Sequence, residues 1–137
     1  MITTRFLERY GTIRKNKIKK YFDMKTIMEV LKFAQSQRDA IAKVEEIIAE
    51  CSSFKIGKTG ESLLDRLCQP DYAGIYSKIT PIFFGQKEEV NDMESYLINK
   101  YINHSKCNNQ KDGDASNNDT MAIGSEKYQV YIVWNKD

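Results

Sequence analysis

The sequence predicts an α+β fold: a small antiparallel β-sheet of about three strands flanked by helices, with an N-terminal helical extension. Two observations predict it. Three short runs, "FKIG", "IYSKITPIFF" and "YQVYIVW", carry the β-branched and aromatic character of strands. The segments between and before them repeat apolar residues at helical spacing. A chain of 137 residues is large enough to bury one core without disulfides.

The elements follow in order. Residues 4–22 mix helix formers with aromatic and basic residues, and Gly11 divides them into two short pieces. Asp23 is positioned to cap the run 24–50, where Ile27, Val30, Ala34, Ile41, Val44 and Ile48 recur at heptad spacing, broken at Gln37. A helix of about seven turns is expected there. Cys51-Ser52-Ser53 ends it, and "FKIG" is a strand closed by Gly57. A helix from Glu61 to Cys68 turns Leu63, Leu64 and Leu67 inward, and "QPDYAG" is a turn. In the strand at 75–84, Pro81 marks an edge position or a bulge. A helix over residues 88–103, a long polar loop and the terminal strand "YQVYIVW" complete the chain. Two regions result: residues 1–50, a basic arm with the long helix, and residues 51–137, the core.

Composition narrows the function. No apolar run approaches the ~20 residues that span a bilayer, and the N-terminus lacks the apolar segment of a secretion signal. An intracellular, cytoplasmic protein without a membrane partner is expected. Cys51, Cys68 and Cys107 are odd in number and widely spaced, which predicts reduced, buried thiols rather than a disulfide framework. His104 and Cys107 form an H-x-x-C pair, but no second close pair completes a zinc site. The net charge of +2 hides an asymmetry. Arg5, Arg9, Arg14, Lys15, Lys17, Lys19 and Lys20 face only Glu8 within residues 1–22, a local +6 that leaves −4 for the remainder. Such an arm suits a polyanion or is a solvated helix face.

Two lookalikes are set aside. Gly57-Lys58-Thr59 resembles the end of a phosphate-binding loop, but the Gly required five residues earlier is Ser52. "DGDASNND" offers Asp112, Asp114, Ser116 and Asn118 at alternating positions. The Gly and Glu that a calcium loop needs at its sixth and twelfth positions are Asn117 and Ile123.

The informative residue is Glu94. On a helical wheel it falls near the middle of the apolar arc Val90, Met93, Leu97, Ile98 and Tyr101. A carboxylate there must be paired, protonated or holding a cation, because burying it alone costs several kcal/mol. Either it pairs with Arg66 or Lys55, or it ligates a divalent metal at the edge of a cleft. Arg66 flanks the Leu63/Leu67 side of its own helix, and its planar fork suits a phosphodiester oxygen. Lys55 shares a side of its strand with Gly57.

In this order the residues resemble the GIY-YIG nuclease superfamily, over residues 54–109. Lys55-Ile56-Gly57 is similar to the family's Tyr-Ile-Gly triplet in the Lys-Ile-Gly form of phage and restriction branches. Arg66 matches its arginine, Glu94 in "MESYLINKYINHSKCNN" its metal-binding glutamate, and Asn109 (or Asn108) its asparagine. The family's first strand, with Gly-Ile-Tyr, is not in its usual place. Gly74-Ile75-Tyr76 comes too late in the chain. "QVYIV" at 129–133 looks like that strand displaced to the C-terminus by circular permutation, which chain termini tolerate. Tyr131 then supplies the phenol; otherwise Tyr76, Tyr10 or Tyr21 must.

The resemblance implies a metal-dependent DNA endonuclease, with one Mg²⁺ (or Mn²⁺) per active site on Glu94. Arg66 would stabilise the phosphate, and Tyr131, with its pKa lowered by Lys55, would activate water. Asn109 would fix the loop behind. The products implied are a 5′-phosphate and a 3′-hydroxyl. The basic arm would track the DNA backbone, and a homodimer through the 24–50 helix would allow both strands to be cut. The alternatives are a DNA-binding module of the same fold with little catalysis, or a protein that interacts through its long helix.

Overall fold

The computed structural model describes the backbone of residues 19–110 and 128–137, and the side chains of 24–110 and 128–137. Arg5, Arg9, Tyr10, Arg14, Lys15, Lys17 and the "DGDASNND" segment lie outside the described residues, as do the side chains of Lys19, Lys20 and Tyr21. The chain forms two units, Met1–Asp39 and Ala40–Asp137. In the first, the described residues are the opening of helix α1, Lys19–Glu50. Asp23 lies inside this helix instead of capping it, since nothing in Lys19-Lys20-Tyr21-Phe22 stops a helix. Gln35 donates to Asp39 at 2.9 Å and Arg38 to Gln35 at 2.6 Å, the four- and three-residue spacings that meet on a helix surface.

The second unit takes the end of α1 and then β1 (Cys51–Thr59), α2 (Leu63–Leu67), β2 (Lys78–Gly85), α3 (Lys87–Tyr101) and β3 (Tyr128–Lys136). The strands form one antiparallel sheet in the order β1-β3-β2, so the last strand in the chain is the middle one. Sequence explains the choice. Gln129 to Trp134 are all buried, as a strand covered on both faces requires, and their run is the most continuously apolar of the three. β2 is an edge strand with a register shift between Pro81 and Phe83, so Pro81 meets both of its expectations.

Alternation along β1 sorts the core. Gly57 pairs with Tyr131 and Lys55 with Val133, so these four share one side of the sheet. Phe54, Ile56 and Lys58 point the other way. On that side lies α3, which buries Val90, Met93, Glu94, Leu97, Ile98 and Tyr101. The Tyr101 ring meets Phe54 edge-on at 6.2 Å. The wheel drawn from sequence thus holds at every position. The Tyr131 side carries a smaller cluster of Tyr72, Tyr76, Tyr131 and Val133, with Leu63 and Leu67 packed on it. Leu64 does not join them and is 70% exposed, because a helix of five residues turns only one narrow stripe inward.

The outer edge of β1 is closed by residues 106–109. The Phe54 amide donates to the Lys106 carbonyl at 2.9 Å, and the Asn108 amide to the Phe54 carbonyl at 2.8 Å. Cys51, Cys68 and Cys107 form no disulfide, but only Cys51 is buried; Cys107 is half-buried and Cys68 exposed. The expectation of three buried thiols fails because Cys68 caps a short surface helix. No helix among the described residues is long and apolar enough to cross a membrane.

Candidate active site

The residues singled out by sequence fall into two groups on opposite sides of β1. On the Tyr131 side, Arg66 sits over aromatic rings, its guanidinium carbon 4.0 Å from the Tyr72 centroid and 5.9 Å from that of Tyr131. Lys55 Nζ stands 5.9 Å from the same Tyr72 centroid. Two cations therefore flank one ring, an arrangement its negative face stabilises. Short helix α2 delivers Arg66: Ser62 caps it by accepting from the Asp65 amide at 3.1 Å, which fixes the turn before Arg66. Gly57 explains how Tyr131 fits. A β-carbon there would overlap the phenol oxygen and lie 2.5 Å from Cζ, so only glycine lets the ring cross β1.

Tyr131 and Tyr72 share a hydrogen bond of 2.7 Å between their hydroxyls, and both are buried. Burial raises both pKa values above the ordinary phenol range. Tyr72 adds to the rise at Tyr131, while Arg66 opposes it without prevailing. Tyr131 is thus held protonated, and the expected lowering by Lys55 gives way to desolvation. Tyr76 joins the cluster, and its hydroxyl accepts from Asn108 Nδ2 at 2.8 Å.

Arg66 is already engaged. Its Nη1 and Nη2 donate to Asp71 Oδ1 and Oδ2 at 2.9 and 2.8 Å, a bidentate fork. The bond raises the Arg66 pKa and lowers that of Asp71.

Glu94 belongs to the other side. Its carboxylate lies 3.5 Å from Lys58 Nζ, both side chains at least nine-tenths buried, and Lys58 also donates to Asn91 Oδ1 at 2.8 Å. Its ion-pair partner is therefore Lys58, where sequence pointed to Arg66 or Lys55. At 3.5 Å the pair lies beyond the 2.7–2.9 Å of a strong charge-assisted bond, so it is held mainly by Coulomb attraction in a dry setting. Asn109 acts on the strand between the two groups: its Oδ1 accepts from the Ile56 amide and its Nδ2 donates to the Ile56 carbonyl, both at 2.9 Å. A side-chain amide thereby stands in for a neighbouring strand beside Lys55-Ile56-Gly57.

No group of three or more His, Cys, Asp or Glu able to hold a metal occurs among the described residues. Mg²⁺ is commonly held by one or two carboxylates, with phosphate oxygens and water completing its shell. Glu94 is a single buried carboxylate whose charge Lys58 already offsets, and it does not make an all-protein cage.

Asp71, Tyr72, Lys58 and Asn91 were not among the residues picked from sequence. Lys58 carried a readable signal: on a strand it shares the row of Phe54 and Ile56, so it must face the core alongside Glu94. Tyr72 and Asp71 sat inside a segment legible only as a turn. No protein-family profile, curated protein or solved structure matches this chain.

Proposed function

We propose that the protein is a metal-dependent DNA endonuclease hydrolysing phosphodiester bonds, as its resemblance to the GIY-YIG nucleases suggests. One observation carries the reading. The terminal strand lies antiparallel to the Lys-Ile-Gly strand, with Tyr131 directly opposite Gly57 and on the same side as Arg66. That is the juxtaposition a displaced first strand requires. Lys58 follows Gly57 in the chain and faces the opposite side of the sheet, so the buried Lys58–Glu94 pair and the aromatic cluster lie on the two faces of β1 near its end. In this reading a phosphodiester lies over that end of the strand, with Arg66 to one side of it and Glu94 to the other.

In this mechanism Arg66 donates its two parallel N–H bonds to a non-bridging phosphate oxygen pair and stabilises the charge that grows there. Lys55 adds a second positive charge beside the Tyr72 ring. The Tyr131–Tyr72 hydroxyl pair, held protonated, orients the attacking water by hydrogen bonding and does not act as a phenolate. Glu94 would hold one Mg²⁺ or Mn²⁺, which when bound supplies positive charge to the phosphate and to the leaving oxygen. Asn109 keeps the Lys55–Gly57 backbone rigid under these groups. The basic arm, Arg5 to Lys20, contributes backbone contacts to DNA. The helix provides a homodimer seam through Met24, Met28 and Leu31, which recur at i, i+4 and i+7 and are exposed.

The test is cleavage of supercoiled plasmid in Mg²⁺ and in EDTA, with the melting curve of each variant recorded. Cleavage in Mg²⁺ alone, reduced about 10²-fold or more by Arg66→Ala and by Glu94→Gln, is expected. A second reading, a DNA-binding module without catalysis, draws on the Glu94–Lys58 pair, since a carboxylate already neutralised needs no metal. Tight DNA binding with no cleavage by the folded protein in either metal would select it and sink the enzyme.

A further inference from the structure

We infer that the Arg66 fork is a phosphate-oxyanion seat and that the Asp71 carboxylate is its resident occupant, displaced when substrate binds. This inference rests on the phosphodiester reading for its ligand class. Carboxylate and phosphate present the same spaced pair of oxygens to a guanidinium, and Arg66 gives Nη1 and Nη2 to the two oxygens of Asp71. A phosphodiester cannot form the same fork while Asp71 holds it.

The two partners differ in what holds them. Arg66 is held over the Tyr72 ring at 4.0 Å, and its side chain is 20% exposed, whereas that of Asp71 is 54% exposed. Asp71 can therefore exchange the guanidinium for water without giving up burial, while the fork stays in place. The turn that carries Asp71 is fastened independently, with the Tyr72 and Ala73 amides both donating to the Gln69 carbonyl at 2.9 and 2.8 Å. Release thus needs a side-chain rotation and no unravelling of backbone. Charge favours exchange by a phosphate. Lys55 faces the same Tyr72 ring and also helps keep Asp71 ionised. Arg66 and Lys55 thus bring two cations to one ring. A phosphodiester backbone brings its own charge repeatedly, so it outcompetes a single exposed carboxylate where a lone small anion does not.

The test uses the full chain and a short fluorescein-labelled DNA duplex in EDTA, read by fluorescence anisotropy. Wild type, Asp71→Asn, Arg66→Ala and the double variant are compared, with Asp65→Asn on the same helix as a control for charge alone. The expected result is binding roughly 3- to 10-fold tighter for Asp71→Asn, a smaller gain for Asp65→Asn, and a double variant equal to Arg66→Ala. Weaker binding by Asp71→Asn would mean that Asp71 supports the fork, and would overturn the inference. An Asp71→Asn gain that persists without Arg66 would overturn it as well. Melting temperature against added inorganic phosphate gives a readout free of DNA. A phosphate-dependent rise gained in Asp71→Asn, not seen in wild type and lost in the double variant, with no duplex binding by any variant, would uphold the seat and sink only the nuclease reading. No such rise and no tighter duplex binding would sink the seat.

Discussion

The two sides of β1 each hold an ion pair, and they hold it in opposite ways. On the α3 side, Lys58 and Glu94 sit 3.5 Å apart, 3% and 6% exposed, inside an apolar arc. On the Tyr131 side, Arg66 and Asp71 form a close bidentate fork at the surface. The looser pair is the more consequential for stability. Two charges withdrawn from water depend on each other, and removing one leaves the other stranded. The tighter pair has water as a ready substitute, so its geometry is better and its contribution smaller. Good hydrogen-bond distances therefore do not rank these pairs; solvent access does. The exposed pair is the one suited to exchange with a ligand.

The largest expected effect breaks the buried side. Glu94→Ala should lower unfolding free energy by about 3–5 kcal/mol in denaturant titrations, because Lys58 is left as a lone buried charge. The paired replacement Glu94→Leu with Lys58→Met should recover most of that loss. If Glu94→Ala and Asp71→Ala lower stability equally, the contrast drawn between the two sides fails. Next comes Gly57→Ala, which drives a methyl into the buried Tyr131 phenol and should cost about 1–3 kcal/mol, while Gly85→Ala, which meets the half-buried Phe83 ring at 2.9 Å at the sheet's end, should cost less because that ring has room to shift. Tyr131→Phe removes the hydroxyl bonded to Tyr72 and should cost about 1 kcal/mol.

The smallest effects are those of pH. Tyr72 and Tyr131 have folded pKa values raised by burial, and Tyr101 is pushed up to about 12, first by burial and then by Glu45. Their contribution is whole below the unfolded value of about 10 and drains away above it, as the unfolded chain releases protons that the folded chain retains. Ultraviolet titration should find Tyr72, Tyr101 and Tyr131 refusing to ionise until the chain unfolds. At the acid end, Asp71 has a lowered pKa, so its bond to Arg66 persists below the usual carboxylate range and is lost only as pH falls through that depressed value. Because the pair is solvated, acid should weaken it with little change in melting temperature.

The sequence was most legible where a periodic pattern ran long enough to have only one solution. The arc of α3, including the misfit Glu94, could be drawn in full from spacing, and so could the central strand from its unbroken apolar run. The edge character of β2 came from Pro81 alone. What could not be read was short or long-range. Five residues of α2 carry too little period to exclude Leu64 from the core. Nothing local in "QPDYAG" says that Tyr72 will be buried against a ring 59 positions away. The partner of Glu94 is obscured for another reason: Lys58 stands in a Gly-Lys-Thr triplet that resembles a phosphate loop, while its place in the inward row of Phe54 and Ile56 shows only once the strand runs past Gly57.

Whether the two sides of β1 serve one site is decided most directly by paramagnetic broadening. Isotope-labelled protein would be mixed with a duplex carrying an uncleavable phosphorothioate linkage, and Mn²⁺ added in small steps. A shared site predicts that the amides of Lys58, Thr59, Arg66 and Tyr131 broaden together with Glu94, and that they do so only when DNA is present. Broadening confined to Glu94 and its helix neighbours, or none near Glu94 at all, would contradict it.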